Sequence, residues 1–148
     1  MSLKHTLVSS AAAVLLAFTA GAAIADDHPY SEGPVVNVSR IRTLDGHFEE
    51  YMKFVATKWK QEQEAAKKMG DVLSYEVLTA EPRTPDDPDI YLVIYFKNWA
   101  AFDGSIAKSD AISKAVEGSV AAATKGQTDR ASIRRILGST TMQVLNLK

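Results

Sequence analysis

The stretch DIYLVIYF, residues 89–96, decides the fold of this chain. Its β-branched and aromatic residues predict a strand, and both sides of that strand are apolar. One side carries Tyr91, Val93 and Tyr95, and the other carries Ile90, Leu92, Ile94 and Phe96. An antiparallel strand with one face in water would alternate apolar and polar residues. We therefore expect a central strand that is covered on both faces.

The residues on either side of this strand predict an α+β sandwich. In chain order the predicted elements are a strand at 35–43, a helix from Asp45 to Met69, strands at 71–80 and 89–96, a helix at 110–125 and a strand at 139–147, with short helical segments at 98–104 and 130–137. This βαββαβ order predicts a ferredoxin-like fold, an antiparallel four-stranded sheet with its helices on one face. Because the helices cover only that face, we expect a homodimer formed through the other one.

The first 25 residues, MSLKHTLVSSAAAVLLAFTAGAAIA, are typical of a signal peptide. They contain an apolar core from Leu7 to Phe18 and end in Ala23-Ile24-Ala25, a pattern that signal peptidase accepts. An uncleaved anchor is the alternative, but a spanning helix needs about 20 apolar residues and this core is shorter. We expect cleavage after Ala25, a flexible leader at 26–34, one domain at 35–148, and a periplasmic or secreted product without a membrane segment.

The composition argues against several classes of protein. The formal net charge is −1 and no basic stripe is present, which argues against nucleic-acid binding. The chain has no cysteine, so it uses neither disulfides nor thiolate chemistry. After cleavage only His28 and His47 remain, and they share no helix face, so we expect no metal site and no cofactor. The acidic run DDPD, 86–89, lacks the spacing of a calcium loop and predicts a solvated hairpin tip.

The element order resembles that of the dimeric α/β-barrel superfamily, near its antibiotic-biosynthesis-monooxygenase-like and uncharacterised exported members. The resemblance spans Val35 to the C-terminus, and its local marks are DGHFEEY (45–51) and YFKNWAAFDG (95–104). It implies a homodimer with a small pocket between sheet and helices in each subunit. Known members include cofactor-independent monooxygenases, haem-degrading monooxygenases and isomerases of small ring compounds, so the resemblance implies no single chemistry.

The haem-degrading branch of that superfamily can be tested against individual residues. Its pattern uses an asparagine on the first strand, a tryptophan after the third strand and a histidine on the second helix as the iron ligand. Asn37 and Trp99 match the first two positions, but no histidine lies between Ala100 and Lys148. Without that imidazole the iron has no ligand of the usual kind, so we do not expect haem degradation.

Polar residues on otherwise apolar strand faces are candidates for ligand binding. Asn37 and Ser39 share a face of the first strand with Val35 and Ile41, and polar groups in such a place need partners, which a bound ligand or water would supply. Three tyrosines share an alternation phase within their strands, and they either line a cavity with hydroxyl groups or pack at a subunit interface. They are Tyr75, Tyr91 and Tyr95.

A group of arginines near the C-terminus is a candidate anion site. Arg130 and Arg134 are four residues apart, on one face of the predicted short helix, and Arg135 follows. Such a cluster would hold a carboxylate or a phosphate. The alternative is that the arginines pair with local acids such as Asp129 or cover apolar surface with their stems.

Glu62 interrupts the apolar stripe of the first predicted helix. The stripe contains Phe48, Met52, Val55 and Trp59, and a helical wheel places Glu62 inside it. One interpretation puts Glu62 at the rim of the sheet, meeting water or Arg134. The other puts it in the helix–sheet cavity near Trp59 as an anchor or proton acceptor, since burial would raise the pKa of its carboxyl toward that of a working base.

The sequence thus predicts a ligand site built from Asn37, Ser39, Trp59, Glu62, Tyr91, Trp99 and Arg134, with Glu62 as the candidate catalytic group. The predicted role is binding of a small organic molecule. One alternative is a cofactor-independent, monooxygenase-like enzyme acting on a small aromatic or quinol compound. Such an enzyme holds an ionisable substrate and O₂ in a dry cavity and leaves almost no sequence signature. The other is a non-catalytic structural or stress-related dimer.

Overall fold

A computed structural model describes residues 28–148, and the predicted signal peptide lies outside the described residues. The fold is α+β, an open four-stranded antiparallel sheet with helices. The strands are β1 (Tyr30–Thr43), β2 (Val72–Thr79), β3 (Ile90–Phe96) and β4 (Arg134–Leu147). The helices are α1 (Phe48–Phe54), α2 (Lys60–Met69), α3 (Ser105–Glu117) and α4 (Val120–Asp129), with a π-helical turn at Val55–Trp59 and 3₁₀ turns at Trp99–Phe102 and Arg130–Ser132. None of the helices in residues 28–148 has the length and apolar character needed to cross a membrane.

The sheet order is β2-β3-β1-β4, with β3 and β1 in the centre. All three neighbouring pairs are antiparallel, so β1 runs parallel to β2 on the far side of β3. The helices between β1 and β2 make that parallel crossover possible, and α3 and α4 do the same for β3 and β4. The prediction that β3 is a central strand is confirmed.

Two strand boundaries differ from the predicted ones because long-range pairing decides them. β1 begins at Tyr30, which pairs with Leu147, so residues 30–34 of the predicted leader belong to the strand. β4 begins at Arg134, which pairs with Thr43. The short helix predicted at 130–137 is therefore reduced to one 3₁₀ turn, since pairing with β1 outweighs the local helix propensity.

The single helix predicted at 110–125 is two helices. Gly118 ends α3 with φ +84°, a left-handed conformation that glycine adopts readily. Ser119 then caps α4, because its hydroxyl accepts a hydrogen bond from the backbone N–H of Ala122 at 3.0 Å. The break lets α3 and α4 fold back on each other beside α2.

The main hydrophobic core lies between the helices and one face of the sheet. Tyr51, Val55 and Trp59 pack there against Ile41, Ile90, Leu92 and Ile133. Side chains alternate along a strand, so Tyr91, Val93 and Tyr95 of β3 project from the opposite face, which we call the outer face. That face also carries Leu78 and Met142, which are 49% and 45% exposed.

The π-helical turn at Val55–Trp59 changes which residue of α2 faces the sheet. A π turn acts as an insertion of one residue, which rotates every later residue backward by about 100°. Gln63 therefore takes the inward position that a continuous α-helix would give to Glu62, and Gln63 is 8% exposed. Glu62 is therefore less buried than its neighbour Gln63, and it lies in the wall of a cavity described below.

Candidate functional site

A cavity of about 530 Å³ lies among α2, α3, α4 and the end of β3. Its volume falls within the range of small-molecule sites, about 300–1,000 Å³. The apolar part of its wall includes Phe96, Ala101, Phe102, Ile112 and Val120. The charged part includes Glu62, Asp71, Lys108, Asp110 and Arg130. The site therefore combines an aromatic wall with several ionised groups.

Two of the charged groups in this wall neutralise each other. Lys108 Nζ lies 3.0 Å from Asp71 Oδ1 and also donates to the Ala101 carbonyl at 3.2 Å. This pair ties α3 to the start of β2 and closes one side of the cavity. Lys108 and Asp71 are thus occupied by structural contacts.

Glu62 and Arg130 share the cavity without pairing. Within residues 28–148 neither side chain makes a hydrogen bond, and neither has an ion-pair partner within 4.0 Å. Burial raises the pKa of the Glu62 carboxyl, and Arg130 partly opposes that rise. Glu117 also raises this pKa, although it is itself paired with Lys58 at 3.3 Å. An acid held in this way is able to accept a proton nearer to neutral pH than an ordinary glutamate.

Arg130 is held in the wall by an aromatic ring. Its Cζ lies 3.7 Å from the centroid of the Phe54 ring, a cation–π contact. Gly126, one turn earlier on α4, leaves room for the guanidinium, since a Cβ at that position would lie 3.1 Å from Nη1. Burial and the nearby Arg134 charge lower the pKa of Arg130.

Arg134 is buried at the start of β4 and does not line the cavity. It is 7% exposed, and its Cζ lies 5.8 Å from the centroid of the Tyr51 ring. The Tyr51 and Phe54 rings are 5.7 Å apart, so two arginines flank a pair of aromatic rings. The sequence grouped the two arginines on a helix, whereas the structure places Arg130 in a 3₁₀ turn and Arg134 in a strand.

Asn37 and Ser39 lie on the helix side of β1, and their side chains form hydrogen bonds with side chains of β4. The Asn37 amide donates to Thr141 Oγ1 at 2.8 Å, and the hydroxyls of Ser39 and Ser139 are 2.8 Å apart. Both partners follow from the register of the two strands. We call these four side chains the β1–β4 polar strip, and it is separate from the residues that line the cavity.

Trp99 connects β4 to the aromatic wall of the cavity. Its indole N–H donates to Gln143 of β4, and its ring lies 5.9 Å from that of Phe102. Phe102 in turn lies 4.7 Å from Phe96, with both rings in the cavity wall. Trp99 is 53% exposed, so it stands at the rim of the site.

Trp59 and Tyr91 lie apart from this cavity. Trp59 is 7% exposed in the hydrophobic core and meets Tyr75 edge-on at 5.3 Å. Tyr91 projects from the outer face, as does Tyr95, whereas Tyr75 lies on the helix side opposite Ile94. Of the predicted site residues, the structure thus places Glu62 in the wall of the cavity and Trp99 beside it.

Sequence reasoning missed most of the cavity wall. Phe96, Phe102 and Lys108 were not among the predicted site residues, and Arg130 was considered only as part of the arginine group. The signal was present in YFKNWAAFDG, where aromatic residues recur around a turn that follows a buried strand. In residues 28–148, no group of three or more His, Asp or Glu side chains is placed to hold a metal ion.

Comparison with known proteins identifies the fold alone. No family model and no curated protein matches the sequence. Among solved structures, SO0527 from Shewanella oneidensis is similar, with a TM-score of 0.51, 18% identity and coverage of 79% of this chain and 96% of that one. HapK from Hahella chejuensis has a TM-score of 0.47 at 14% identity, covering 73% and 90% of the two chains. PA3566 from Pseudomonas aeruginosa has a TM-score of 0.40 at 10% identity, and the match covers 78% of this chain and 96% of that one.

Glu62 and Glu64 should affect stability in opposite directions. Because burial raises the pKa of Glu62 above its ordinary 4.5, ionisation of Glu62 costs stability as the pH rises above that value. Tyr75 donates to Glu64 at 2.6 Å and lowers its pKa, so ionised Glu64 adds stability that is lost as the pH falls through the lowered value. We expect Glu62→Gln to stabilise the protein at pH 7 and Glu64→Gln to destabilise it.

Urea unfolding of both variants and the wild type at several pH values checks this expectation. The gain from Glu62→Gln should shrink as the pH falls and vanish below about 4.5, where the acid is protonated in both states. A Glu62→Gln variant that is no more stable than wild type at pH 7 would mean that Glu62 is well solvated.

Proposed function

We propose that this protein is an exported homodimer of ferredoxin-like topology that binds a small organic molecule in the cavity between its helices and sheet. The observation that carries the proposal is the charge arrangement in that cavity, an aromatic wall with Glu62 and Arg130 both unpaired. Uncompensated ionisable groups cost stability, and proteins retain them mainly where a ligand or a reaction uses them. The signal-peptide pattern of residues 1–25 supports export.

The strand order supports the proposed topology. β3 lies between β1 and β2, and β1 lies between β3 and β4, so each strand–helix–strand unit is split by a strand of the other. Interlocked units of this kind define the ferredoxin-like arrangement. The similarity to SO0527 supports a shared fold and leaves the function of this chain open.

The outer face supports the proposed homodimer. Tyr91, Val93 and Tyr95 lie in its centre, and Leu78 and Met142 flank them on the two edge strands. Glu76 and Arg40 also lie on this face, so its apolar part is a strip along β3, and covering that strip removes its apolar surface from water. A second copy is the simplest cover, and obligate interfaces of this kind bury about 2,000 Å² or more.

Charges on the outer face should separate the dimer. We expect light scattering to give twice the subunit mass for wild type and a single subunit mass for the double variant Leu78→Lys/Met142→Lys, because lysines there would lose solvation on association. Ile106→Lys is the matched control, since Ile106 is 80% exposed on α3. A wild-type protein that stays monomeric at micromolar concentration, or an Ile106→Lys variant that dissociates equally, would contradict the proposed interface.

Filling the cavity should weaken ligand binding without changing the fold. Ala123 of α4 lines the cavity, whereas Ala121 is exposed on the same helix. With small aromatic compounds as probes, we expect Ala123→Phe to weaken binding at least about tenfold, roughly the effect of losing 1.4 kcal/mol of contacts. Ala121→Phe should bind as the wild type does.

Binding is measured by thermal shift and calorimetry, together with native mass spectrometry of protein from its source. The latter shows whether a small molecule is retained during purification. Equal binding by the two phenylalanine variants would place the ligand outside this cavity, and a wild type that binds nothing in any of these assays would count against the proposed function.

A second candidate function is cofactor-independent oxygenation. The observation that favours it is the raised pKa of Glu62, which suits this carboxylate to take a proton from a phenol or quinol in the cavity. Wild-type protein would then consume oxygen with such substrates, Glu62→Gln would not, and Glu64→Gln, which changes an acid outside the cavity, would retain the activity. An oxygen electrode makes the measurement, and no uptake by the wild type would leave binding as the function.

A further inference from the structure

Arg130 and Arg134 are two buried or half-buried cations without acidic partners. Arg134 is 7% exposed, and in both residues the buried Nε makes no hydrogen bond. Within residues 28–148 no carboxylate lies within 4.0 Å of either guanidinium. The contacts with Phe54 and Tyr51 stabilise the positive charge, and the Tyr51 hydroxyl is an acceptor beside Arg134. The Phe54 ring face, in contrast, leaves the in-plane N–H groups of Arg130 without an acceptor.

The nearby acids are either occupied or too distant to serve as these acceptors. Asp89, near Tyr51, accepts hydrogen bonds from the backbone N–H and the hydroxyl of Thr43. Glu117 pairs with Lys58. Glu62 stands in the same cavity as Arg130 and yet makes no ion pair with it. Burial of guanidinium donors without acceptors is costly in general, so an anion bound beside Arg130 would be stabilised there.

We propose that Arg130 holds the carboxylate of an organic acid whose apolar body lies against Phe96 and Phe102, with the buried charge of Arg134 strengthening the attraction. This inference rests on the proposed function and names the class of ligand. It follows from three observations: Arg130 lines the cavity, its guanidinium has no hydrogen-bond or ion-pair partner within residues 28–148, and Gly126 leaves room for that guanidinium.

A carboxylate fits this site better than a phosphate. The planar guanidinium matches a planar carboxylate through two parallel N–H···O bonds. Glu62 and Asp110 also line the cavity, and their negative charge would repel a phosphate dianion more strongly than a monoanion. The aromatic wall supplies contacts for a ring that inorganic phosphate would not use.

The experiment compares benzoate, benzamide and inorganic phosphate as probes of the full chain. Benzamide has the shape of benzoate without its charge, so comparing the two probes isolates the effect of the negative charge on binding. Binding is followed by NMR titration of backbone amides, which also shows whether the signals that move belong to α3 and α4. Arg130→Gln removes the charge, and Arg130→Lys keeps it without the planar fork. Arg135→Gln is the control, because Arg135 is exposed and contacts Asp86 and the Pro85 carbonyl at the hairpin.

We expect benzoate to bind more tightly than benzamide or phosphate, with the shifts in α3 and α4. Arg130→Gln should weaken the binding of benzoate at least about tenfold, because a charge-assisted bidentate pair is lost. It should leave the binding of benzamide unchanged. Arg130→Lys should be intermediate, and Arg135→Gln should match the wild type.

The other outcomes separate the two proposals. Equal binding of benzoate and benzamide in the cavity, unaffected by Arg130→Gln, would overturn the carboxylate assignment and leave the proposed function standing. Phosphate binding more tightly than benzoate would overturn the choice of carboxylate. Failure of all three probes to move any signal of the cavity would count against the carboxylate site, whereas binding of uncharged aromatics in the cavity assay would still support the proposed function.

Discussion

The contact between Asp89 and Thr43 fixes the register on which the rest of the molecule depends. The Asp89 carboxylate accepts from the backbone N–H and the hydroxyl of Thr43, while the Asp89 N–H donates to the Ile41 carbonyl at 3.0 Å. These bonds join the end of β1 to the start of β3 and hold Ile41 opposite Ile90. A slip of one residue would exchange the two faces of β3, sending Tyr91 into the core and Leu92 out of it. The helix-side core and the apolar outer face therefore have a common origin.

The cavity shows two ways of treating charge in a small domain. Lys108 and Asp71 form a satisfied pair that joins elements, and such a pair stabilises without offering any reactivity. Glu62 and Arg130 are placed in the same wall and left apart, so the acid has a raised pKa and the cation has no ion-pair partner within residues 28–148. Residues at functional sites commonly break the rules that the remainder of a protein obeys, and this contrast marks the site more clearly than any sequence motif.

Local patterns predicted the fold class, the central position of β3 and the end of the first helical region at Gly70, because each depends on neighbours in the chain. The start of β4 at Arg134 and the partners of Asn37 and Ser39 depend on residues about a hundred positions away, which a single sequence does not reveal. The candidate site was less predictable still. Its wall comes from α2, α3, α4 and β3 together, and the local signals for it were the aromatic residues around Trp99 and the interruption of the helical stripe at Glu62.

The π-helical turn at Val55–Trp59 has an evolutionary consequence. The residue that enters the cavity is chosen by the phase of the helix as well as by its own identity, so losing one codon from this turn would return α2 to regular phase. Glu62 would then take the buried position that Gln63 now holds, which would move the carboxylate within the cavity wall with every residue of the site still encoded. In a lineage of such proteins, insertions and deletions within the first helix would thus alter the chemistry of the site as effectively as substitutions of its residues.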